Sequence, residues 1–189
     1  GAGRRGYVSH FNQYGDDLLL AYQTLRQRYP GIPLFLQGES LGGLVALYAQ
    51  EQGLFPVDGM VLNAPAVQPA LSLGFLRTPQ WMAEFELFTA SIPGKFMPDQ
   101  PTLVPGSVVE MFAGLAVKNE ALVSDFKNDP YVVHTALPFG FISALREGVN
   151  SVQDGMSHVT APALIVQGTE DTLVPLSSSQ FTLDQLASG

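Results

Sequence analysis

Apolar positions change their period several times along the chain, and each change marks an element. Phe11, Tyr14, Leu18, Tyr22, Leu25 and Tyr29 recur every three or four residues, the spacing of one helical face, with Ser9 placed to act as its N-cap. Pro30-Gly31 ends that helix. The next run, Ile32-Pro33-Leu34-Phe35-Leu36-Gln37, is apolar without alternation, as expected of a strand covered on both faces. Leu41, Leu44, Val45 and Tyr48 return to helical spacing until Gly53. A second buried strand is predicted over Gly59-Met60-Val61-Leu62-Asn63, stopped by Pro65, which has no amide hydrogen to extend a central strand. A helix is predicted over 138–149 and a third buried strand over 161–168, running into the polar turn Thr169-Glu170-Asp171.

Between the second and third strands the pattern breaks up. Pro79, Pro93, Pro98, Pro101 and Pro105 interrupt apolar segments of helical length, and Phe75, Trp81, Phe85, Phe88, Phe96 and Phe112 crowd the same stretch. Short helices and loops laid over a sheet fit that composition better than further strands. The expected organisation is a mostly parallel α/β sheet flanked by helices, with core segments at 1–64 and 130–189 and an insertion over 65–129.

Composition narrows the function. A chain of 189 residues with 46% apolar residues can bury the core of one domain. Its net charge of −8 sets it apart from nucleic-acid binders, which concentrate Lys and Arg. There is no Cys, so no disulfide or thiolate metal site can form, and His10, His134 and His158 lack any spacing that would hold zinc on one helical face. No metal or other cofactor is called for. No apolar run is long enough to span a bilayer, and the first residues lack the layout of a secretion signal. A cytoplasmic or peripheral membrane setting is therefore expected.

The candidate chemistry lies at Gly38-Glu39-Ser40-Leu41-Gly42. With 19 Gly in the chain, a Gly-x-Ser-x-Gly match alone says little. Its setting says more: it follows a predicted strand and opens a predicted helix, the arrangement of a nucleophile elbow. A serine hydroxyl is a weak nucleophile unless it is exposed beside a base and near donors for the oxyanion. At such an elbow the residues two before and two after the serine are expected to crowd together, which suits Gly38 and Gly42. The Leu41 amide, at the positive end of the following helix, is the candidate oxyanion donor. Ser40 as an N-cap in a Gly-rich turn is the plainer alternative. A supporting carboxylate belongs later in the chain, after another strand, and Asp171 is so placed, with Glu170 its rival. No histidine follows Asp171; surface or packing roles are expected for His10, His134 and His158.

The segment from Arg28-Tyr29-Pro30-Gly31 through Gly38-Glu39-Ser40-Leu41-Gly42-Gly43 resembles the nucleophile region of monoacylglycerol lipases and lysophospholipases, within the S33-type serine hydrolases. Met60-Val61-Leu62-Asn63-Ala64-Pro65, Asn128-Asp129-Pro130 and the acid-bearing stretch over 162–175 resemble later landmarks of the same family, in order. The resemblance implies an α/β-hydrolase fold in which Ser40 attacks an ester, Asp171 orients a histidine and Leu41 donates to the oxyanion. It further implies that 65–129 is a lid, whose Phe75, Leu76, Trp81 and Phe85 line an acyl-chain pocket. Glu39 stands where the family often has histidine. Set against that family, the chain is expected to start after the early strands and to stop before the histidine loop. Alone it should be inactive and prone to associate through open sheet edges. A small lipid ester, met in transient contact with a membrane surface, is the expected partner. An aminopeptidase or amidase on the same fold, or a catalytically dead binding domain, are the alternatives.

Overall fold

The computed structural model describes residues 6–68, 80–102, 119–171 and 173–187. Its elements run α1 (Asn12–Arg28), β1 (Phe35–Glu39), α2 (Leu41–Glu51), β2 (Gly59–Asn63), α3 (Gln80–Ser91), α4 (Glu120–Asn128), α5 (Phe139–Gly155), β3 (Ala163–Val166) and α6 (Leu176–Ala187). Short 3-10 turns occupy Pro93–Lys95 and Met156–His158. The chain divides into two compact units, one of Gly1–His10 with Ala70–Arg146 and the other of Phe11–Pro69 with Glu147–Gly189.

The second unit carries the sheet. Its three strands are parallel in the order β1-β2-β3, so β2 is central, and Met60 and Leu62 on it are 2% and 0% exposed. Glu39 pairs with Asn63 and Asn63 with Val166, which brings the carboxyl ends of all three strands to one edge. Parallel neighbours need a crossover, and α2 provides it between β1 and β2. Leu44, Ala46, Leu47 and Ala49 are buried along α2, where a fully buried leucine contributes roughly 1.5–3 kcal/mol. Phe11 is also fully buried. The rings of Tyr14 and Tyr48 meet it edge-on at 5.4 and 5.2 Å, and a Cβ on Gly148 of α5 would overlap its ring. Burial pushes the hydroxyl pKa of Tyr14 up. Burial does the same at Tyr48, reinforced by the negative charges of Glu147, Glu51 and Asp16.

The described residues of the first unit form helices and loops. The Arg146 guanidinium lies 4.7 Å from the Phe88 ring centre, and the Asn119 side chain caps α4 by accepting from the Ala121 amide at 3.0 Å. Two of the prolines expected to interrupt helices lie outside them, Pro93 opening a 3-10 turn and Pro101 forming an antiparallel bridge with Pro138, while Pro79 and Pro105 lie outside the described residues. This unit continues to Arg146, beyond the 65–129 bounds expected of the insertion.

Several sequence expectations change. Helix α1 starts at Asn12; the position before it is Phe11, in right-handed helical conformation with no side-chain cap, so Ser9 is not the N-cap. The burial of Phe11 fixes the helix entry instead. Strand β1 covers Phe35–Glu39 rather than 32–37, and α5 runs on to Gly155, past the 149 expected. Gly148 within α5 is a site of close approach to the Phe11 ring. Strands β1 and β3, expected to be covered on both faces, are the edges of the described sheet and leave Phe35, Leu164 and Val166 at 68%, 60% and 46% exposure. An unbroken apolar run marks a strand but does not count its neighbours.

Candidate active site

Ser40 joins β1 to α2 with φ 50° and ψ −114°, a conformation that costs a non-glycine residue about 1–3 kcal/mol and persists only when its surroundings enforce it. Four backbone hydrogen bonds do so. The Ser40 amide donates to the Asn63 carbonyl at 2.9 Å, and the Ser40 carbonyl accepts from Gly43, Leu44 and Ala66 at 3.0, 3.2 and 3.1 Å. The serine side chain makes no capping bond to α2, which removes the plainer role the sequence left open. Ser40 is half-buried, with Glu39 exposed beside it. Helix geometry leaves the Leu41 amide in the first turn of α2 with no intrahelical acceptor, at the positive end of the helix.

The crowding at the elbow falls on one side. A Cβ on Gly38 would overlap the Gly42 carbonyl and lie 2.7 Å from the Gly43 nitrogen, whereas a Cβ on Gly42 would meet nothing within 4 Å. A Cβ on Gly43 would come within 3.0 Å of Pro65. Close packing thus explains Gly38 and Gly43 but not Gly42.

Asp171 lies in the turn after β3, half-buried. Its Oδ1 accepts from the Leu173 and Val174 amides at 2.9 and 3.0 Å, and its Oδ2 accepts from Gln167 Nε2 at 3.1 Å. Glu170 is exposed. Ser40 follows β1 and Asp171 follows β3 at the same sheet edge, with β2 between them. At about 4.8 Å per strand, that separates their strands by roughly 9–10 Å, a gap suited to an intervening side chain. His158 precedes β3, at the amino end of the strand and away from that edge, while His10 and His134 belong to the other unit. Among the expected pocket residues, Phe85 is 61% exposed; Phe75, Leu76 and the Trp81 side chain lie outside the described residues.

A family model described as serine aminopeptidase, S33, matches residues 1–189. The chain belongs to that family. It is similar to human monoglyceride lipase, 28% identical over 98% of this chain and 56% of the relative. Against monoacylglycerol lipase of Mycolicibacterium smegmatis it is 29% identical, over 98% of this chain and 61% of the relative. Among solved structures, the Paleococcus ferrophilus monoacylglycerol lipase superposes with a TM-score of 0.71 at 21% identity, covering 97% of this chain and 63% of that one. A soluble variant of monoglyceride lipase from Saccharomyces cerevisiae, in complex with a substrate analog, gives a TM-score of 0.65 at 20% identity, covering 93% and 55%. The fold is that of an α/β-hydrolase, and the chain spans little more than half the length of the curated relatives it matches.

Three residues of this S33 chain escaped the sequence reading. Ala64, with φ 45° immediately before Pro65, occupies a turn that neither Ala nor a pre-proline position favours, so nothing in the sequence marks it. The fully buried Ser178 hydroxyl donates to the Pro65 carbonyl at 2.7 Å and accepts from the Val67 and Gln68 amides at 3.1 and 3.0 Å. It fixes the loop whose Ala66 amide holds the Ser40 carbonyl. Gln167 joins the acid turn to α6. Ser178 acts across more than a hundred residues, where no spacing rule reaches, and Gln167 acts through an irregular turn that has no periodic signature.

Proposed function

We propose that the protein carrying this chain is a serine carboxylic-ester hydrolase acting on single-chain lipid esters such as monoacylglycerols or lysophospholipids. The observation that carries this is Ser40: a strained, half-buried serine whose side chain is not spent on capping, at the sheet edge it shares with Asp171. Monoglyceride lipases among its relatives support the substrate class.

In this mechanism the Ser40 hydroxyl attacks the ester carbonyl while an imidazole between Ser40 and Asp171 takes its proton. Asp171 holds that imidazole in the correct tautomer and stabilises its charged form. The Leu41 amide donates to the oxyanion, a contact typically worth about 2.7–4 kcal/mol in the transition state. The leaving alcohol takes the proton from the imidazole, and water then releases the acyl group from Ser40 by the same route. The histidine comes from outside residues 1–189, on a loop after the acid turn.

The insertion over 65–129 serves as a lid and acyl pocket, meeting a membrane surface transiently. In its unit Phe85, Phe88, Ile92 and Phe96 are 61%, 43%, 43% and 79% exposed, apolar side chains available to lipid. No helix among the described residues is long and apolar enough to cross a membrane. The family description favours one second reading, an aminopeptidase on the same machinery.

The test uses the full-length protein with monoacylglycerols, short-chain and medium-chain aryl esters, and aminoacyl amides. Ester turnover that vanishes in Ser40→Ala is expected. Turnover retained in that variant would defeat the nucleophile assignment, and hydrolysis of amides alone would favour the second reading.

A further inference from the structure

Gln167 stands between the two parts of the chain that hold the acid. Its Nε2 lies 3.1 Å from Asp171 Oδ2 and 3.3 Å from the carbonyls of Gly168 and Val174, and its Oε1 accepts from the Ser179 hydroxyl at 2.7 Å. The surroundings allow one orientation of the amide. The carboxylate and both carbonyls only accept, so the opposite flip would set oxygen against three acceptors and strand the hydroxyl's proton. Ser179 is itself buried on α6, which is further tied to the sheet side through Ser178.

We propose that Gln167 is the positioning residue that fixes the rotation of the Asp171 carboxylate, a role that rests on the serine-hydrolase reading of this site. The Leu173 and Val174 amides both bond Oδ1, so they secure one oxygen and leave the other to turn about it. Gln167 secures Oδ2. With both oxygens held, the carboxylate plane is set before any imidazole arrives. Such support of a reactive group from behind limits the displacement that costs rate.

The alternative role for Gln167 is a plain tether of α6 through Ser179, and one substitution separates the two. Gln167→Glu keeps an acceptor for Ser179 but loses the donor to Asp171 and places a second carboxylate beside it. Gln167→Met keeps the length and loses both bonds. In the full-length protein, with active sites titrated by a fluorophosphonate, we expect kcat on an ester to fall about tenfold or more in Gln167→Glu. It should fall no less there than in Gln167→Met, with KM within about twofold in both. Parental kcat in Gln167→Glu would overturn the proposal, as would parental kcat per titrated site in Gln167→Met. Should one variant fail to fold, the other decides by the same criterion. Asp171→Asn is the reference: parental kcat there defeats the acid assignment itself and this proposal with it. A loss in Asp171→Asn with none at Gln167 defeats only the positioning role.

Discussion

Ser178→Ala is the substitution whose cost can be worked most directly from the geometry. It removes one oxygen from a site with no solvent access and adds no bulk. Three neutral hydrogen bonds disappear, at 2.7, 3.0 and 3.1 Å. At about 1 kcal/mol each they amount to about 3 kcal/mol. Two of the abandoned groups keep each other, since the Val67 amide also donates to the Pro65 carbonyl at 2.9 Å. The Gln68 amide has no such second acceptor among the described residues. The expected loss is therefore about 2 kcal/mol. With a urea dependence of about 2 kcal/mol per molar, the unfolding midpoint of the full-length protein should drop by about 1 M at unchanged slope. Urea titrations of parent and variant, followed by far-UV circular dichroism, measure it. A drop smaller than about 0.3 M would mean that the loop over 65–68 does not depend on this hydroxyl.

Gly38→Ala and Gly42→Ala should part company in stability. The first drives a Cβ into backbone at Gly42 and Gly43 and should cost about 3 kcal/mol or more, while the second meets nothing and, lying in a helix, should leave stability equal or up to about 1 kcal/mol higher. Equal melting temperatures for the two variants would refute the one-sided crowding. Tyr14 and Tyr48 predict an alkaline sensitivity. Their hydroxyls ionise at higher pH when folded than when unfolded, so the unfolded chain gives up its protons first. The stability they lend is whole below the ordinary tyrosine value near 10 and is lost as pH rises above it. Replacing both with Phe should flatten the fall in the urea midpoint between about pH 9 and pH 11, and an unchanged fall would count against their burial as its cause.

What the sequence revealed follows how local each signal is. The strands over 35–39, 59–63 and 163–166 lie in uninterrupted apolar runs bounded by Pro, Gly or a polar turn, so their presence and order were legible. Their neighbours were not, because the exposure of Phe35 and Leu164 depends on what lies beside them. The position before the first helix is Phe11 rather than the expected cap Ser9, because the burial of Phe11 outweighed a favourable capping residue. At the candidate site the strand-turn-helix setting pointed to Ser40, while the turn after the third strand offered both Asp171 and Glu170 and only the family resemblance favoured Asp171. Ser178 stayed hidden because its partners lie more than a hundred residues away, and Gln167 because an ordinary polar residue in an irregular turn carries no periodic signal. Ala64 stayed hidden because its strain runs against its residue type and its proline neighbour.

The chain leaves the sheet-bearing unit after Pro69 and re-enters it along α5, and the Gln153 side chain donates to the Val67 carbonyl at 2.8 Å. Departure and return are thus stitched together at the base of the excursion. The loop that holds the Ser40 carbonyl is thus anchored from within its own unit, by Ser178 and by Gln153, and owes none of these bonds to the sequence between its two ends.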